Sequence, residues 1–225
     1  MTSAAEHNDD MTPDEARLPL LAAMMVHVPF DGWTKRALDQ AAADVGVTPE
    51  FAELAFPGGA EDVLDLHLKI ADGKMMTALD ALDLPSMKIR DRITTAIRVR
   101  LEQNVEHREA IRRGQSLLAL PPNVGAGAKA LWRMCDLMWQ AAGDTSTDHN
   151  WYTKRMILAG VYLTTLSIWL DDDSEGFAET WAFLDRRIDN VMQIEKAKWE
   201  IRKVTETMPG IGRFLGRLRY GDPKS

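Results

Sequence analysis

Apolar residues recur along this chain at the three- and four-residue spacing of α-helices, and no stretch shows the sustained alternation that marks β-strands. The sequence therefore predicts an all-α fold. Two helix starts are marked at Thr12-Pro13 and Thr48-Pro49, where a capping Thr precedes a Pro at the first helical position. The predicted helices cover about 12–28, 34–46, 48–56, 61–81, 89–114, 131–142, 156–170 and 175–194.

Two of these helices have patterns that bear on the interior of the protein. The long helix from residue 89 carries one apolar stripe and should end near Gly114; the stripe consists of Ile89, Ile93, Ile97 and Leu101. The stretch 156–170, MILAGVYLTTLSIWL, has no charge, which is typical of a helix buried inside a bundle. It is too short to span a bilayer, which needs about 20 residues.

Composition indicates a soluble globular protein with one sizeable core or two small ones, since 45% of its 225 residues are hydrophobic and 27% are charged. A single Cys135 in an apolar pattern cannot form an internal disulfide, so it predicts a core position and favours a reducing compartment. The amino terminus lacks the features of a signal or transit peptide. We expect a bacterial cytoplasmic protein, or a processed form on the matrix side of mitochondria. The predicted regions are 1–84, 85–195 and 196–225.

The segment ALDQAAADVGVTPEFAELAF, residues 37–56, has the spacing of a helix-turn-helix, with its turn at Gly46 and Val47. Followed by longer helices, it resembles the fold of TetR-type transcription regulators. DNA binding requires cations for the phosphates, yet residues 37–68 contain no Lys or Arg. We therefore expect no nucleic-acid partner, and a ligand-responsive transcription regulator is the alternative function. The acids in this part of the chain include Asp44, Glu50, Glu53, Glu61 and Asp62.

Motifs for catalysis or metal binding are missing from the sequence. None of the five His residues has a Glu three residues earlier, as di-metal carboxylate bundles require. The segments Gly125-Ala126-Gly127 and Gly210-Ile211-Gly212 follow no predicted strand and lack a phosphate-binding Lys. His149 beside Asp148 is more typical of a loop or a helix cap than of acid–base chemistry. We expect a protein that is not an enzyme and holds no metal or cofactor.

Two large aromatic residues stand where a polar run meets the apolar stretch. In AGDTSTDHNWYTKRMILAG, residues 142–160, Asp148 can cap a helix whose first turn carries Trp151 and Tyr152. Ordinary packing at the edge of the core is one interpretation. The other is a binding surface, because Trp and Tyr are favoured interface anchors, with Lys154 and Arg155 as a charged rim.

The carboxy-terminal segment is basic, whereas the rest of the chain is acidic. The net charge of residues 196–225 is +5. Because the net charge of the whole chain is −7, residues 1–195 carry −12. In PGIGRFLGRLRY, residues 209–220, the spacing predicts a short basic amphipathic helix that binds a membrane interface. Docking on its own core or on a second subunit is the alternative. The predicted membrane-binding residues are Ile211, Arg213, Phe214, Leu215, Arg217 and Leu218.

Two stretches resemble the coenzyme Q biosynthesis protein nine family of ubiquinone-biosynthesis accessory proteins. They are DLMWQAAGDTSTDHNWYTKRMILAGVYLTTLSIWLDDDSEGFAETWAFLDRRIDN and DGWTKRALDQAAADVGVTPEFAELAFPGGAEDVL, and the similarity covers about residues 25–191. The resemblance implies a TetR-like fold without DNA binding, a homodimer, and peripheral membrane binding through a carboxy-terminal helix. It also implies an apolar pocket that holds an isoprenoid quinone or a phospholipid. The implied role is to present the demethoxyquinone intermediate to its ring hydroxylase.

The resemblance also assigns residues to these roles. Trp151 and Tyr152 match the aromatic pair that contacts the hydroxylase in this family, with Leu137, Met138 and Trp139 nearby. The predicted amphipathic helix at residues 209–220 matches the terminal helix of this family only in chemical character, and not in sequence. Side chains of the apolar bundle are candidates for the pocket wall, with a filled core as the alternative. These lipid-binding candidates are Met134, Met138, Leu158, Val161, Tyr162, Leu166, Trp169, Trp181 and Leu184.

Overall fold

The structure, a computed structural model, describes the backbone of residues 11–145 and 149–207 and the side chains of residues 11–145 and 151–193. Nine α-helices and three short 3-10 turns occur in these ranges, and no strand does. The helices are α1 (Pro13–Asp31), α2 (Lys35–Val45), α3 (Pro49–Ala55), α4 (Ala60–Asp80), α5 (Ile89–Glu102), α6 (Arg108–Leu118), α7 (Val124–Ala141), α8 (His149–Asp171) and α9 (Ala178–Thr207). The all-α prediction is confirmed.

Local capping explains where the first three helices begin. Thr12, Thr34 and Thr48 each occupy the N-cap, and each hydroxyl accepts a hydrogen bond from a backbone N–H of the first turn. At Thr12 the carboxylate of Glu15 also accepts from the Thr12 backbone N–H, which completes a capping box. Gly46 ends α2 in the left-handed conformation, with φ of 80°, which a residue with a Cβ adopts at a cost.

Three predicted helix ends are wrong. Helix α9 continues to Thr207, well past the predicted end near residue 194. Helix α1 continues past Pro29 to Asp31, because a proline in the last turn removes only one backbone donor. The single helix predicted over 89–114 is two helices, since α5 ends at Glu102 and α6 begins at Arg108. Residues 105–107 form a 3-10 turn between them, and Gly114 lies inside α6 rather than at its end.

The buried side chains form two hydrophobic clusters that share α4. The first lies among α1, α2, α3 and the amino-terminal half of α4, and α6 contributes Ala110. The second lies among the carboxy-terminal half of α4, α5, α7, α8 and α9, and it includes Cys135. Because α4 runs through both clusters, it connects the helix-turn-helix to the larger bundle. The predicted regions 1–84, 85–195 and 196–225 stay a prediction.

Helix α6 is fastened to the end of α8 by arginine side chains. Arg108 donates through Nη2 to the backbone carbonyls of Trp169, Leu170 and Asp172, at 2.8–2.9 Å. A helix end leaves its last carbonyls without partners inside the helix, and a guanidinium satisfies several of them at once. The contact fixes α6 against α8.

Helix α8 is less buried than its composition predicts. Its uncharged stretch packs against α7 and α9 on one side, but Met156, Leu163 and Ile168 are exposed. The expectation of a helix buried all round is therefore wrong for these positions. Among the described residues, no helix is both long and apolar enough to cross a bilayer.

Candidate functional site

A cavity of about 460 Å³ lies between α4, α5, α6, α7 and α8. Pockets of 300–1,000 Å³ accommodate drug-sized organic molecules, so the space is large enough for one. Most of its wall is apolar. The larger apolar side chains that line it are Leu64, Leu68, Leu101, Ile111, Leu118, Val124, Leu131, Met134, Leu163 and Leu166, and Ala119, Ala128 and Ala130 also line it.

The cavity opens where the start of α7 faces the end of α6 and the middle of α8. Four lining residues are exposed at this mouth, namely Ala119, Val124, Ala128 and Leu163. Small residues keep the backbones close there: a Cβ on Gly127 would lie 3.1 Å from the Cβ of Leu118. The mouth is therefore rimmed by small and aliphatic side chains, which suits the passage of an apolar chain.

At the other end the cavity has a polar base. Asp72 of α4 forms an ion pair with Arg100 of α5 at 3.2 Å, and Nε of Arg133 donates to Asp72 at 2.9 Å. His67 and Tyr162 complete the base. Burial, together with the charge of Arg100, lowers the pKa of His67 to about 4, so this imidazole is neutral at pH 7. Burial also raises the pKa of the Tyr162 phenol.

The predicted lipid-binding residues divide into three groups. Met134, Tyr162 and Leu166 line the cavity. Leu158 and Val161 line a separate cleft of about 70 Å³ between α5, α7, α8 and α9. The remaining four border neither space: Met138, Trp169 and Leu184 are fully buried in the packed core, and Trp181 packs on Phe177 beneath Arg98. Met138, Trp169 and Leu184 are surrounded by protein, so direct lipid contact with them requires the core to open; Trp181 is half-buried and lies outside both spaces.

An aromatic cluster lies at the amino-terminal end of α8. The rings of Trp151 and Tyr152 meet edge to face with centroids 4.7 Å apart, and Trp132 of α7 packs against both at 5.4 and 6.0 Å. Tyr152 is 58% exposed and followed one turn later by the exposed Met156. These four residues, Trp132, Trp151, Tyr152 and Met156, are called the aromatic patch below.

Buried charges support the aromatic patch. Arg155 is only 2% exposed, and its guanidinium pairs with Asp136 at 2.6 Å and with Asp144 at 3.2 Å. The carbon of this guanidinium lies 4.1 Å from the centroid of the Trp151 ring. The prediction that Arg155 forms a charged rim is therefore wrong, because its charge is buried and paired beneath the ring.

One residue of the predicted partner surface is not at the surface. Met138 is fully buried, because it lies on the face of α7 that packs into the core. Leu137 and Trp139 are half-buried, and the ammonium of Lys154 lies 5.3 Å from the Trp139 ring. The surface available to a partner consequently comprises Trp151 and Tyr152 with Leu137 and Trp139 at its side, without Met138.

Sequence reasoning missed the polar base, although a signal for it was present. The buried stripe of α5 continues from Ile93 and Ile97 to Arg100, and Asn104 follows it just past the end of the helix; both polar residues are buried. A charged residue at a buried helical position requires a partner in the interior. The contact of Trp132 with the aromatic pair was likewise not predicted.

The predicted membrane-binding residues, 211 to 218, lie outside the described residues, and so does Asp148. Membrane binding by the tail stays a prediction.

Comparison with known proteins identifies the family. The COQ9 family model matches residues 124–195, which include α7, the aromatic patch and α8. Ubiquinone biosynthesis protein COQ9, mitochondrial, of Rattus norvegicus is 30% identical over 215 residues, which cover 92% of this chain and 68% of that protein. The chain belongs to the COQ9 family. The family resemblance seen in the sequence is thereby confirmed.

Further COQ9 family members agree. The mitochondrial COQ9 proteins of Bos taurus and Homo sapiens are 31% and 30% identical, and the matches cover 90% of this chain and 66% of each protein. This chain thus spans about two thirds of the length of these relatives.

A solved structure confirms the TetR-like fold. The TetR transcriptional regulator from Nitrosomonas europaea ATCC 19718 superposes with a TM-score of 0.63, over 78% of this chain and 97% of that chain. Only 18% of the aligned residues are identical, so the likeness is one of fold.

Proposed function

We propose that this protein is a non-enzymatic accessory protein of ubiquinone biosynthesis that binds an isoprenoid quinone intermediate and presents it to the demethoxyquinone ring hydroxylase. Its COQ9 relatives are named ubiquinone biosynthesis proteins, which supports the pathway. The observation that carries the proposal is the cavity of about 460 Å³ with an apolar wall. Burial of an isoprenoid tail against this wall stabilises the complex by about 25 cal/mol per Å² of apolar surface.

Helix α8 supports the presentation step because it joins the cavity to the aromatic patch. Leu163 lies at the mouth, and Tyr152 stands eleven residues earlier on the same helix. At 1.5 Å per residue these positions are about 16 Å apart along the helix axis. Met156 is exposed between them. A hydroxylase bound at the aromatic patch would therefore contact the protein within the length of one lipid of the cavity mouth.

The proposal includes a homodimer and a peripheral position at the membrane surface, on the bacterial inner membrane or on the matrix side of mitochondria. Ile168 of α8 is exposed and does not line the cavity, so it provides apolar surface that a second subunit can cover without closing the mouth. The basic segment 196–225 supplies the charge that attracts anionic lipid.

The test is lipid content. Lipid extracted from the purified full chain should contain an isoprenoid quinone, measured by mass spectrometry against protein concentration. Ala130→Phe places a ring in the space that the lipid would occupy, and this obstruction should lower the bound lipid roughly tenfold, a loss of about 1.4 kcal/mol in binding.

Ala126→Phe is the matched control, because Ala126 is exposed on the same helix and does not line the cavity. Both variants should keep the helical circular dichroism of the parent. Absence of isoprenoid lipid from the parent protein, or equal lipid in the two variants, contradicts the proposal.

A further inference from the structure

Several side chains at the polar base of the cavity have hydrogen-bonding groups without partners: Arg100, Tyr162 and His67, which can donate, and Asp72, whose Oδ1 accepts no hydrogen bond in the described part of the chain. Arg100, Tyr162 and His67 are 5%, 8% and 9% exposed, so the protein withdraws all three from bulk water. Within residues 11–145 and 151–193, no hydrogen bond engages the Tyr162 hydroxyl or the His67 ring. Arg100 is engaged through Nη2, by Asp72, while its Nε is buried without a partner.

Unpartnered polar groups in an interior are costly, because each has lost its hydrogen bonds to water. All three residues line the cavity, so a guest molecule can contact them. Arg100 Nε is covered by protein, whereas the Tyr162 hydroxyl and the His67 nitrogens are not among the covered atoms. Arg100 and the Tyr162 hydroxyl both donate hydrogen bonds, and an oxygen acceptor is the group that matches two donors. A guest that carries such an oxygen accepts the hydrogen bonds that these donors made to water in the unfolded chain.

The charge of the base indicates which kind of oxygen fits. The positive charge of Arg100 is already balanced by Asp72, and Arg133 is shared between Asp72 and Asp65. His67 is neutral at pH 7 because burial lowers its pKa. A phosphate would bring a net negative charge into a base whose buried charges are already paired, and burying an unpaired charge is costly. A neutral carbonyl, hydroxyl or methoxyl oxygen adds no charge to the base.

We propose that the polar base binds the neutral oxygenated ring of an isoprenoid lipid, so that the ring lies innermost and the tail leaves through the mouth past Val124 and Leu163. The inference rests on the proposed function and adds the orientation of the guest. Arg100 and Tyr162 donate hydrogen bonds to a ring oxygen, and the apolar wall contacts the first part of the tail. The volume of about 460 Å³ suits a ring and a short length of tail.

This orientation makes the complex a storage state. The ring oxygens are hidden at the base, while the end that reaches the mouth is apolar. For the hydroxylase to act, the ring must leave the base and travel towards the aromatic patch. Release of the two donor contacts is consequently part of the transfer.

The test compares the affinities of three lipids for the full chain, measured by titration in native mass spectrometry. The probes are a ubiquinone with two isoprene units, a terpene hydrocarbon of similar length without oxygen, and dioleoyl phosphatidylglycerol. Tyr162→Phe removes one donor and keeps the ring. It should weaken the binding of the ubiquinone roughly threefold to tenfold, the usual worth of one hydrogen bond, and leave that of the hydrocarbon unchanged.

Thr165→Val is the matched control for the loss of a buried hydroxyl on α8. The Thr165 hydroxyl donates to the carbonyl of Val161 and does not line the cavity, so its loss should affect none of the probes. Equal weakening of ubiquinone and hydrocarbon by Tyr162→Phe, or no weakening of either, overturns the ring orientation. A Tyr162 dependence confined to phosphatidylglycerol assigns the base to phosphate and overturns it too. If no probe binds the parent chain, the proposed function fails as well.

Discussion

His67 lies at the base of the cavity and links the stability of the fold to pH. Its pKa is lowered from 6.5 to about 4, so between these values the unfolded chain binds a proton that the folded chain does not. The free energy of unfolding therefore falls as pH is lowered through this window. A shift of this size corresponds to about 3 kcal/mol.

Replacement of this residue isolates its contribution to the pH dependence. In His67→Gln the free energy of unfolding should fall less between pH 6.5 and pH 4 than in the parent protein, by about 3 kcal/mol at most. Urea denaturation at several pH values in this window measures the difference. Carboxylates that titrate in the same range contribute equally to both proteins and cancel. Parallel stability curves would show that His67 is not the titrating group.

Tyr152 should contribute to partner binding with little effect on stability. As a large, exposed ring supported by Trp151 and Trp132, it has the character of an interface anchor. Tyr152→Ala should weaken binding of the ring hydroxylase by more than tenfold, as loss of an anchor costs about 2 kcal/mol. Biolayer interferometry with the purified hydroxylase measures this effect.

The control for this substitution is Phe30→Ala, on α1, where the ring is 81% exposed and far along the chain from the patch. It should leave hydroxylase binding unchanged. Thermal unfolding of both variants should stay close to that of the parent, since exposed side chains contribute little to stability. A large drop in melting temperature for Tyr152→Ala would show instead that Tyr152 packs at the edge of the core and stabilises the fold.

Helix boundaries were predictable where their causes are local. The Thr caps and Gly46 stand in the sequence itself and fix the starts of α1, α2 and α3 and the end of α2. No Gly or Pro in residues 103–107 marks the break between α5 and α6. It is supported from outside the segment: Gln103 donates to the backbone carbonyl of Lys74, and Arg108 reaches the end of α8.

The side chain of Asn104 also favours the break. Its Nδ2 donates to the carbonyl of Arg100 at 2.7 Å, so a side chain competes with the helical backbone for this acceptor. Asn is tolerated at exposed helical positions, and only the burial of Asn104 shows that it acts in this way. Hydrophobic periodicity alone does not detect such a position, which is why one long helix was predicted over 89–114.

The cavity was the least predictable feature. Apolar spacing places Met134, Leu166 and Trp169 alike in the interior, yet the first two line the cavity and the third is packed on all sides. The difference depends on how five helices meet, which no single stretch of sequence encodes. The aromatic pair was predictable because its anomaly, two large rings in a polar setting, is local.

The distribution of charge over the whole chain predicts how the protein meets membranes and nucleic acids. The helix-turn-helix presents acids, and its Lys35 is paired with Asp39 and Glu53. This end should be repelled by phosphate. The tail carries the net positive charge, so approach to an anionic membrane should occur tail first.

Arg213→Ala, Arg217→Ala and Arg219→Ala together test this polarity. Each cation near an anionic surface adds about 1 kcal/mol, so loss of three should reduce sedimentation with phosphatidylglycerol liposomes by roughly a hundredfold in partition coefficient. Neutral liposomes should bind both proteins weakly.

The control removes the same charge from the body, as Lys35→Ala, Arg36→Ala and Lys69→Ala in one chain. Its membrane binding should stay near that of the parent, because these residues lie on α2 and α4. If both triple variants lost the same amount of liposome binding, the attraction to anionic lipid would depend on the net charge of the chain and not on the tail.

The five residues between α5 and α6, 103 to 107, also constrain how this chain can vary. A helix turns by about 100° for each residue, so one residue added or removed there would rotate α6 about its axis by that angle unless the linker absorbed the change. Ile111, Gln115 and Leu118 would swing away from the cavity wall, and Arg108 would leave the carbonyls at the end of α8. Side chains in this linker can be exchanged one for another more safely than the linker can be lengthened or shortened.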